Sequence, residues 1–181
     1  MTTGKERRLL EIIRQKSVRH GRFTLASGAV SDFYLDMKPT AFDPEGASLI
    51  GEIIFERLRN HDDVVAIGGL ELGAVPIVTA VSQTSWPQRP LNAFVVRKSR
   101  KDHGTEQAID GNFEPGSTVV LIDDVTTKGG SVMQAVNAVR ARDSKVKFII
   151  SIVDRQEGAR ENLRREGIDL LPIFTIGDVL A

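Results

Sequence analysis

One stretch in the second half of the chain decides the fold, and it reads Val119-Val120-Leu121-Ile122-Asp123-Asp124-Val125-Thr126-Thr127-Lys128-Gly129-Gly130-Ser131. Its four leading apolar residues predict a buried strand that ends at two adjacent carboxylates. A turn rich in hydroxyl groups and glycine follows, and it opens a helix predicted over residues 131–142. This order of strand, turn and helix is typical of the ligand-binding edge of an α/β fold.

The side chains of this stretch suit a sugar phosphate. The carboxylates of Asp123 and Asp124 accept hydrogen bonds only, so they suit the two hydroxyl donors of a vicinal diol and help to hold Mg²⁺. Backbone N–H groups at the helix start, with the hydroxyls of Thr126, Thr127 and Ser131, suit a phosphate monoester. A helix cap with a glycine turn needs neither a second acid nor three hydroxyls. A diol beside a phosphate describes a ribose 5-phosphate.

Two other phosphate-binding motifs do not occur in the sequence. No stretch fits Gly-x-x-x-x-Gly-Lys-Ser/Thr, so Asp123 and Asp124 are not the acidic pair of a P-loop enzyme. The segment Gly68-Gly69-Leu70-Glu71-Leu72-Gly73 has the wrong spacing for the dinucleotide fingerprint Gly-x-Gly-x-x-Gly. P-loop and NAD chemistry are therefore excluded.

Around this stretch, helices alternate with short apolar strands. One helix begins at a capping box from Thr3 to Glu6, and another begins at Asp43-Pro44. Strands are predicted at 23–25, 33–37, 64–67, 91–96, 119–122, 148–153 and 170–174, and further helices at 74–82, 131–142 and 156–166. We expect the strand 64–67 to end at Gly68-Gly69. The pattern predicts an α/β fold with a central parallel sheet flanked by helices, whose ligands lie at the carboxyl ends of the strands.

Composition limits the classes of function. The chain has 181 residues, which fits a single domain at 1–181, and its 24 basic and 24 acidic residues leave a formal net charge of zero. We therefore expect no nucleic-acid or membrane partner. With no cysteine, disulfides and thiol nucleophiles are excluded, and His20, His61 and His103 are too scattered for a zinc site. Neither a membrane span nor a signal peptide is predicted, so a cytoplasmic protein is expected.

A polar segment at about 98–113 has no periodic apolar face and is predicted to be a mobile loop. It is preceded by Arg97 and begins Lys98-Ser99-Arg100-Lys101-Asp102-His103-Gly104, which places four cations within five residues. Such a cluster is either a solvated loop or a site for a multiply charged anion. Packing does not explain four like charges in a flexible segment, whereas binding of a multiply charged anion such as pyrophosphate does, so the anion site is favoured.

These motifs together resemble those of the type I phosphoribosyltransferases, and among them the orotate phosphoribosyltransferases. Residues 119–131 resemble the motif that binds phosphoribosyl pyrophosphate (PRPP), and residues 97–104 resemble the catalytic loop Arg-Lys-x-x-Lys-Asp-His-Gly. Phe23-Thr24-Leu25-Ala26-Ser27-Gly28 is similar to an N-terminal segment of that family. The resemblance covers about 19–174. It implies an N-terminal hood at about 1–40, a PRPP-binding core at about 60–160 and a mobile catalytic loop at about 98–113.

The resemblance also implies a reaction, in which the 5-phosphoribosyl group of PRPP is transferred to orotate in the synthesis of UMP. Arg97, Lys101 and His103 are the implied catalytic residues. The implied PRPP-binding residues are these three with Lys98, Asp123, Asp124, Val125, Thr126, Thr127, Lys128, Gly129, Gly130 and Ser131. Thr127 and Arg155 are implied to bind orotate. Phe33 and Tyr34, an aromatic pair at a strand end, either line the base pocket or belong to the core. Mg²⁺ is implied to bind mainly through PRPP, assisted by Asp123 and Asp124, in a homodimer whose loop acts in the neighbouring subunit.

Several features leave alternatives open. Gly73 and Ala26 stand where some members of the family carry lysine. Arg155 offers a bidentate fork to the carboxylate of orotate, or forms a surface ion pair with Asp154 or Glu157. The rival functions are a phosphoribosyltransferase for a purine base, which has no carboxylate to pair, and a non-catalytic PRPP-sensing regulator that binds nucleic acid.

Overall fold

A computed structural model describes residues 3–24, 30–98 and 108–181 of the chain. Helix α1 (Gly4–Lys16) begins at the predicted capping box, in which the Thr3 hydroxyl accepts a hydrogen bond from the Glu6 N–H at 3.2 Å. Strands β1 (Val18–Thr24) and β2 (Val30–Leu35) then pair antiparallel in a small separate sheet. This small sheet corresponds to the hood expected at the N-terminus.

The remaining elements form one large α/β unit. They are α2 (Lys38–Ala41), α3 (Pro44–Leu58), β3 (Ala66–Leu70), α4 (Ala74–Ser85), β4 (Asn92–Val96), β5 (Ile109–Gly111), β6 (Thr118–Thr126), α5 (Gly130–Arg140), β7 (Lys145–Asp154), α6 (Ala159–Arg165), β8 (Leu170–Thr175) and α7 (Ile176–Leu180). Helix α3 begins with Pro44 at its first position, and the Asp43 carboxylate accepts the Gly46 N–H at 2.9 Å. In the described parts of the chain, no helix has the length and apolar character needed to cross a membrane.

The large sheet has the strand order β5-β4-β3-β6-β7-β8, and all neighbouring pairs are parallel except β4 with β5. This confirms the predicted fold class. The chain adds β4 on one side of β3, whereas it adds β7 and β8 on the far side of β6. The order therefore reverses between β3 and β6, and a crevice at this point is where open parallel sheets bind ligands.

Alternate residues of β6 enter two hydrophobic cores. Val119 and Leu121 belong to the core beneath α5 and α6, whereas Val120 and Ile122 belong to the core beneath α3 and α4. All four side chains are at most 1% exposed. Burial on both faces fixes the register of β6, because a slip by one residue would exchange the two sets of side chains. The carboxyl end of β6 is thereby held in place.

Two sequence predictions about strand limits were wrong. The strand predicted to end at Gly68-Gly69 continues to Leu70, because these glycines let neighbouring groups approach the strand. A Cβ atom on Gly68 would lie 2.2 Å from the Phe94 ring, and one on Gly69 would lie 2.3 Å from the Ile122 carbonyl oxygen. In the segment predicted to be loop at 98–113, Ile109–Gly111 forms β5 along the edge of β4.

Candidate active site

A cavity of about 310 Å³ lies at the carboxyl ends of β3 and β6, where the strand order reverses. It is lined by Lys38, Leu70, Glu71, Leu72, Gly73, Lys98, Asp123, Asp124, Val125 and Ser131. These residues come from four separate parts of the chain. The cavity brings the two predicted carboxylates and one predicted loop cation into a single site.

The two carboxylates differ in their surroundings. Asp123 accepts a hydrogen bond from the Thr126 hydroxyl at 2.9 Å, and Asp124 accepts one from the Val125 N–H at 2.9 Å. Burial, together with the charge of Asp124, raises the pKa of Asp123 to about 7. Burial also raises the pKa of Asp124, while the Lys38 ammonium acts in the opposite direction. The raised pKa values mean that keeping both carboxylates charged costs free energy. A ligand that donates hydrogen bonds to both carboxylates would reduce that cost.

A chain of buried hydroxyl groups lies behind Asp123. The Thr126 hydroxyl is 2.9 Å from the Asp123 carboxylate and 2.8 Å from the Ser151 hydroxyl, which in turn donates to the Val153 carbonyl at 3.0 Å. Thr126 is 1% exposed. The hydroxyl points inward, toward Asp123 and Ser151, and its contact with a phosphate stays a prediction. Thr126 holds the carboxylate that faces the cavity.

The turn after β6 exposes the start of α5. Gly129 has a φ of 85°, a left-handed conformation that glycine adopts without strain, and no side chain of the described residues caps this helix. Its first N–H groups are therefore available for an anion. The Lys128 carbonyl accepts a hydrogen bond from Asn162 at 2.9 Å, which fastens the turn to α6. The Lys128 side chain is exposed.

The loop between β3 and α4 forms the opposite wall of the cavity. The Glu71 carboxylate accepts a hydrogen bond from the Lys98 N–H at 2.8 Å, and the Glu71 N–H donates to the Val96 carbonyl at 2.9 Å. The peptide bond between Glu71 and Leu72 is cis. These contacts tie the loop to the end of β4, from which Lys98 reaches the cavity.

The predicted catalytic loop is only partly described. Lys98 is exposed at the cavity wall, whereas Arg97 forms an ion pair with Asp110 on β5. Lys101 and His103 lie outside the described residues, as does Ala26. The Arg97 guanidinium is thus engaged on the sheet edge in this state of the protein.

Arg155 and Phe33 lie together beside the site. The Arg155 guanidinium carbon is 5.3 Å from the centre of the Phe33 ring, and one of its nitrogens is 2.9 Å from the Glu157 carboxylate. The Arg155 N–H donates to the Thr126 carbonyl at 2.9 Å, which places the residue directly after the paired ends of β6 and β7. Tyr34 packs its ring 5.6 Å from that of Phe23. Arg155 therefore forms the expected ion pair with Glu157 while its guanidinium also lies near the Phe33 ring.

Sequence analysis missed two residues of this site. Lys38 lines the cavity, and its ammonium group lies 2.7 Å from the Asp36 carboxylate. Ser151 supports Thr126 from the neighbouring strand. Neither residue belongs to a motif, so only the parallel pairing of β6 with β7 and the position of the hood bring them to the site. His61 packs against Phe148 at 4.9 Å, as expected for a structural residue.

The oxygen donors of the cavity fit a cation such as Mg²⁺ that is coordinated mostly by a bound substrate and water. Asp123 and Asp124 supply carboxylate oxygens to the cavity, and the described residues contain no cluster of three acidic or histidine side chains that would form a complete cage. Mg²⁺ commonly binds through one or two carboxylates, with substrate phosphates and water as its other ligands. The donor set of this cavity is suited to that arrangement.

Comparisons with known proteins identify the family of this chain. The family model described as "Phosphoribosyl transferase domain" matches residues 41–167. The fold and the paired carboxylates before a glycine turn therefore define a phosphoribosyltransferase.

Relatives narrow this class. The chain is 44% identical to orotate phosphoribosyltransferase from Bradyrhizobium diazoefficiens over 96% of this chain and 95% of that protein. Orotate phosphoribosyltransferase from Mycobacterium tuberculosis in complex with Fe(III) dicitrate matches it with a TM-score of 0.86 and 36% identity, over 97% and 98% of the two chains. The same protein in complex with PRPP matches with a TM-score of 0.83 and 32% identity, over 98% and 99%. The chain belongs to the orotate phosphoribosyltransferase family.

Proposed function

We propose that this protein transfers the 5-phosphoribosyl group of PRPP to orotate, releasing pyrophosphate and forming orotidine 5′-monophosphate for UMP synthesis. The observation that carries the proposal is the cavity that Asp123 and Asp124 line together with Ser131 at the open start of α5. The backbone of Arg155 is hydrogen-bonded to Thr126 at the end of β6, the strand that carries both carboxylates. Family membership and the similarity to a PRPP complex support the same reaction.

The ribose 5-phosphate is expected to bind along the end of β6 and the turn that follows. The carboxylates of Asp123 and Asp124 accept the two ribose hydroxyls, which donate hydrogen bonds. The 5-phosphate accepts hydrogen bonds from the N–H groups of the turn from Thr127 to Gly130 and from the Ser131 hydroxyl, at the positive end of the α5 dipole. Val125 and Lys128 complete the segment through their backbone.

The pyrophosphate is expected on the side of Glu71, Gly73 and Lys98. Mg²⁺ bound to the diphosphate would neutralise part of its charge, with Asp123 and Asp124 nearby. We expect Lys98, Lys101 and His103 to stabilise the leaving group, and Arg97 to join them when it exchanges Asp110 for the substrate. Replacing Lys101 by alanine should lower kcat by roughly 10² while leaving the fold intact.

Orotate is expected beside Phe33, with its carboxylate on the Arg155 guanidinium and a contact to the Thr127 hydroxyl. A ring nitrogen of orotate attacks C1′ of the ribose and loses its proton to solvent, the bond from C1′ to the pyrophosphate oxygen breaks, and pyrophosphate leaves with the electron pair. Such a displacement has an oxocarbenium-like transition state. The protein contributes by aligning the two reactants and by stabilising charge on the leaving group.

Three further properties stay predictions. They are the homodimer in which the catalytic loop serves the neighbouring active site, the role of loop closure in excluding water, and the cytoplasmic location. The zero net charge of the chain is consistent with small-molecule substrates rather than nucleic acid.

The test is a pyrophosphate-release assay in which orotate, uracil, adenine and guanine compete for PRPP, with and without Mg²⁺. We expect turnover of orotate alone, and only when Mg²⁺ is present. Turnover of a purine alone would contradict the proposed substrate. PRPP binding without any turnover, combined with salt-sensitive RNA binding, would instead indicate the regulator.

A matched pair of variants tests the role of Arg155. Replacing Arg155 by methionine should lower kcat/KM for orotate about 100-fold with little effect on the KM for PRPP, because one charge-assisted fork to the carboxylate is lost. The control is Arg59→Met, since the Arg59 side chain is 66% exposed and pairs only loosely, at 3.9 Å, with the exposed carboxylate of Glu56. Equal effects of the two substitutions would contradict the assignment of Arg155.

A further inference from the structure

Lys38 is a cation in the active-site cavity, and the proposed reaction assigns it no role. It lies at the start of α2, directly after the hood, and lines the cavity with Asp124, Gly73 and Lys98. Among the described residues of the cavity wall, Lys38 and Lys98 are the two that carry a positive charge. The two lysines come from separate parts of the chain, Lys38 from the start of α2 and Lys98 from the segment that follows β4.

The backbone that carries Lys38 is held rigidly. Met37 is completely buried, and the buried hydroxyls of Thr40 and Ser17 lie 2.6 Å apart. The Asp36 carboxylate accepts a hydrogen bond from the Lys38 N–H at 3.0 Å and one from its ammonium group at 2.7 Å. A fixed backbone and a short tether to Asp36 keep the ammonium group at the mouth of the cavity.

The ammonium group nevertheless remains accessible to a ligand. The Lys38 side chain is 43% exposed, and that of Asp36 is 25% exposed. The hydrogen bond to Asp36 raises the pKa of Lys38, and the negative charges of Asp36 and Asp124 raise it further. The ammonium group is therefore charged at neutral pH. An ammonium group offers three donors, and Asp36 occupies one of them. Donors remain for a second anion.

The position of Lys38 indicates which part of the substrate it meets. The 5-phosphate is expected at the start of α5, near Ser131, whereas Lys38 lies close enough to Asp124 for their charges to interact, and Gly73 packs against the same carboxylate. The proposed function expects the pyrophosphate on the side of Gly73. Gly73 has no side chain that could supply charge there, and Lys38 is a cation of the cavity wall near the carboxylate that Gly73 touches.

We propose that Lys38 is a substrate-binding residue whose ammonium group contacts the pyrophosphate group of PRPP. This inference rests on the proposed function, because it takes PRPP as the ligand of the cavity. It assigns to the start of α2 a direct part in holding the leaving group.

The experiment compares three ligands on the variant Lys38→Met by calorimetry in the presence of Mg²⁺. We expect affinity for PRPP and for pyrophosphate to fall about 10- to 100-fold, the loss typical of one hydrogen bond between charged groups. Affinity for ribose 5-phosphate, which lacks the pyrophosphate, should change less than about twofold. Lys38→Arg should recover most of the lost affinity, because it restores a cationic donor.

A second lysine variant serves as the control for Lys38→Met, and two results would contradict the proposed contact. The control is Lys5→Met, since Lys5 is 47% exposed and pairs with Glu52 at 2.9 Å on the outer surface. Unchanged PRPP affinity in Lys38→Met would overturn the proposal. An equal loss for ribose 5-phosphate would also overturn it, because Lys38 would then act by tuning Asp124. Orotate turnover by the unmodified protein is measured separately, so failure of the reaction and failure of this contact are distinguished.

Discussion

Gly73 lies directly against the carboxylate of Asp124. A Cβ atom on Gly73 would be 2.4 Å from both Cγ and Oδ2 of Asp124, a distance that real Cβ atoms do not reach. The backbone at Gly73 has ordinary helical torsions, with φ −58° and ψ −37°, so a larger residue would fit its conformation. What Gly73 provides is therefore space, and the second carboxylate of the site uses that space.

Replacing Gly73 by alanine should move the Asp124 side chain out of its present position. We expect affinity for PRPP to fall at least tenfold, while the free energy of unfolding changes by about 1 kcal/mol or less, because the side chain can swing into the cavity. Calorimetric titration and chemical denaturation measure the two quantities. The control is Gly4→Ala, where an added Cβ meets no described atom within 4 Å. Unchanged PRPP affinity in the Gly73 variant would show that Asp124 does not need this position.

The raised pKa of Asp123 predicts a stability that depends on pH. Since the pKa of Asp123 is about 7 in the folded protein and 3.8 is the ordinary value, its contribution to stability is fully present below about pH 4 and is lost as the pH rises through 7. Asp123→Asn avoids this loss. We expect the variant to gain on the order of 2 kcal/mol over the unmodified protein between pH 5 and pH 8.

Thermal unfolding of the ligand-free protein at a series of pH values measures this gain. The matched control is Asp62→Asn, at an exposed position outside the cavity. A constant difference between Asp123→Asn and the unmodified protein across this range would contradict the raised pKa. The same variant should bind PRPP more weakly, because an amide offers one acceptor oxygen in place of two.

The hydroxyl chain behind Asp123 can be interrupted at Ser151. Ser151→Ala removes the group 2.8 Å from the Thr126 hydroxyl, so that hydroxyl loses one of its two neighbours. We expect a loss of about 1 kcal/mol in the free energy of unfolding and a weaker affinity for ribose 5-phosphate. Ser48→Ala, which removes an exposed hydrogen bond to Glu52 at 3.1 Å, is the control. A loss of stability with unchanged ribose 5-phosphate affinity would limit Ser151 to a packing role.

Adjacent glycines at the start of α5 should respond oppositely to alanine. Gly129 has a φ of 85°, and its added Cβ would lie 3.4 Å from Leu163, so Gly129→Ala should cost about 1 kcal/mol or more. Gly130 is the first helical residue, and an added Cβ there meets no described atom within 4 Å. Gly130→Ala should leave stability equal or raise it by up to about 1 kcal/mol. Chemical denaturation of both variants measures this, and a larger loss at Gly130 would contradict the turn geometry.

Local sequence patterns predicted most of the sheet and the centre of the site. The apolar run 119–122 predicted β6, and the acids and glycines after it marked the ligand-binding edge of the sheet. The same patterns failed where a distant part of the chain decides the outcome. Strand β3 continues through Gly68 and Gly69 because both residues pair with β4 and β6, and Phe94 and Ile122 fill the space that side chains would need there.

Tertiary contacts decide the arrangements that local sequence patterns did not predict. The Thr126 hydroxyl points inward, where it lies within hydrogen-bond distance of Asp123 and of Ser151 on the neighbouring strand. Lys38 reaches the cavity because the hood and α2 are placed beside the β3–α4 loop. No spacing along the chain predicts either arrangement, since Ser151 lies 25 residues after Thr126 on the neighbouring strand, and Lys38 lies on α2, outside both sheets.

The most direct measurement is a crystal structure of the protein soaked with PRPP and Mg²⁺. We expect the two ribose hydroxyls on the carboxylates of Asp123 and Asp124, and the 5-phosphate on the N–H groups between Thr127 and Ser131. A sugar phosphate bound elsewhere, or an empty cavity with both carboxylates turned into the protein, would contradict the assignment of this site.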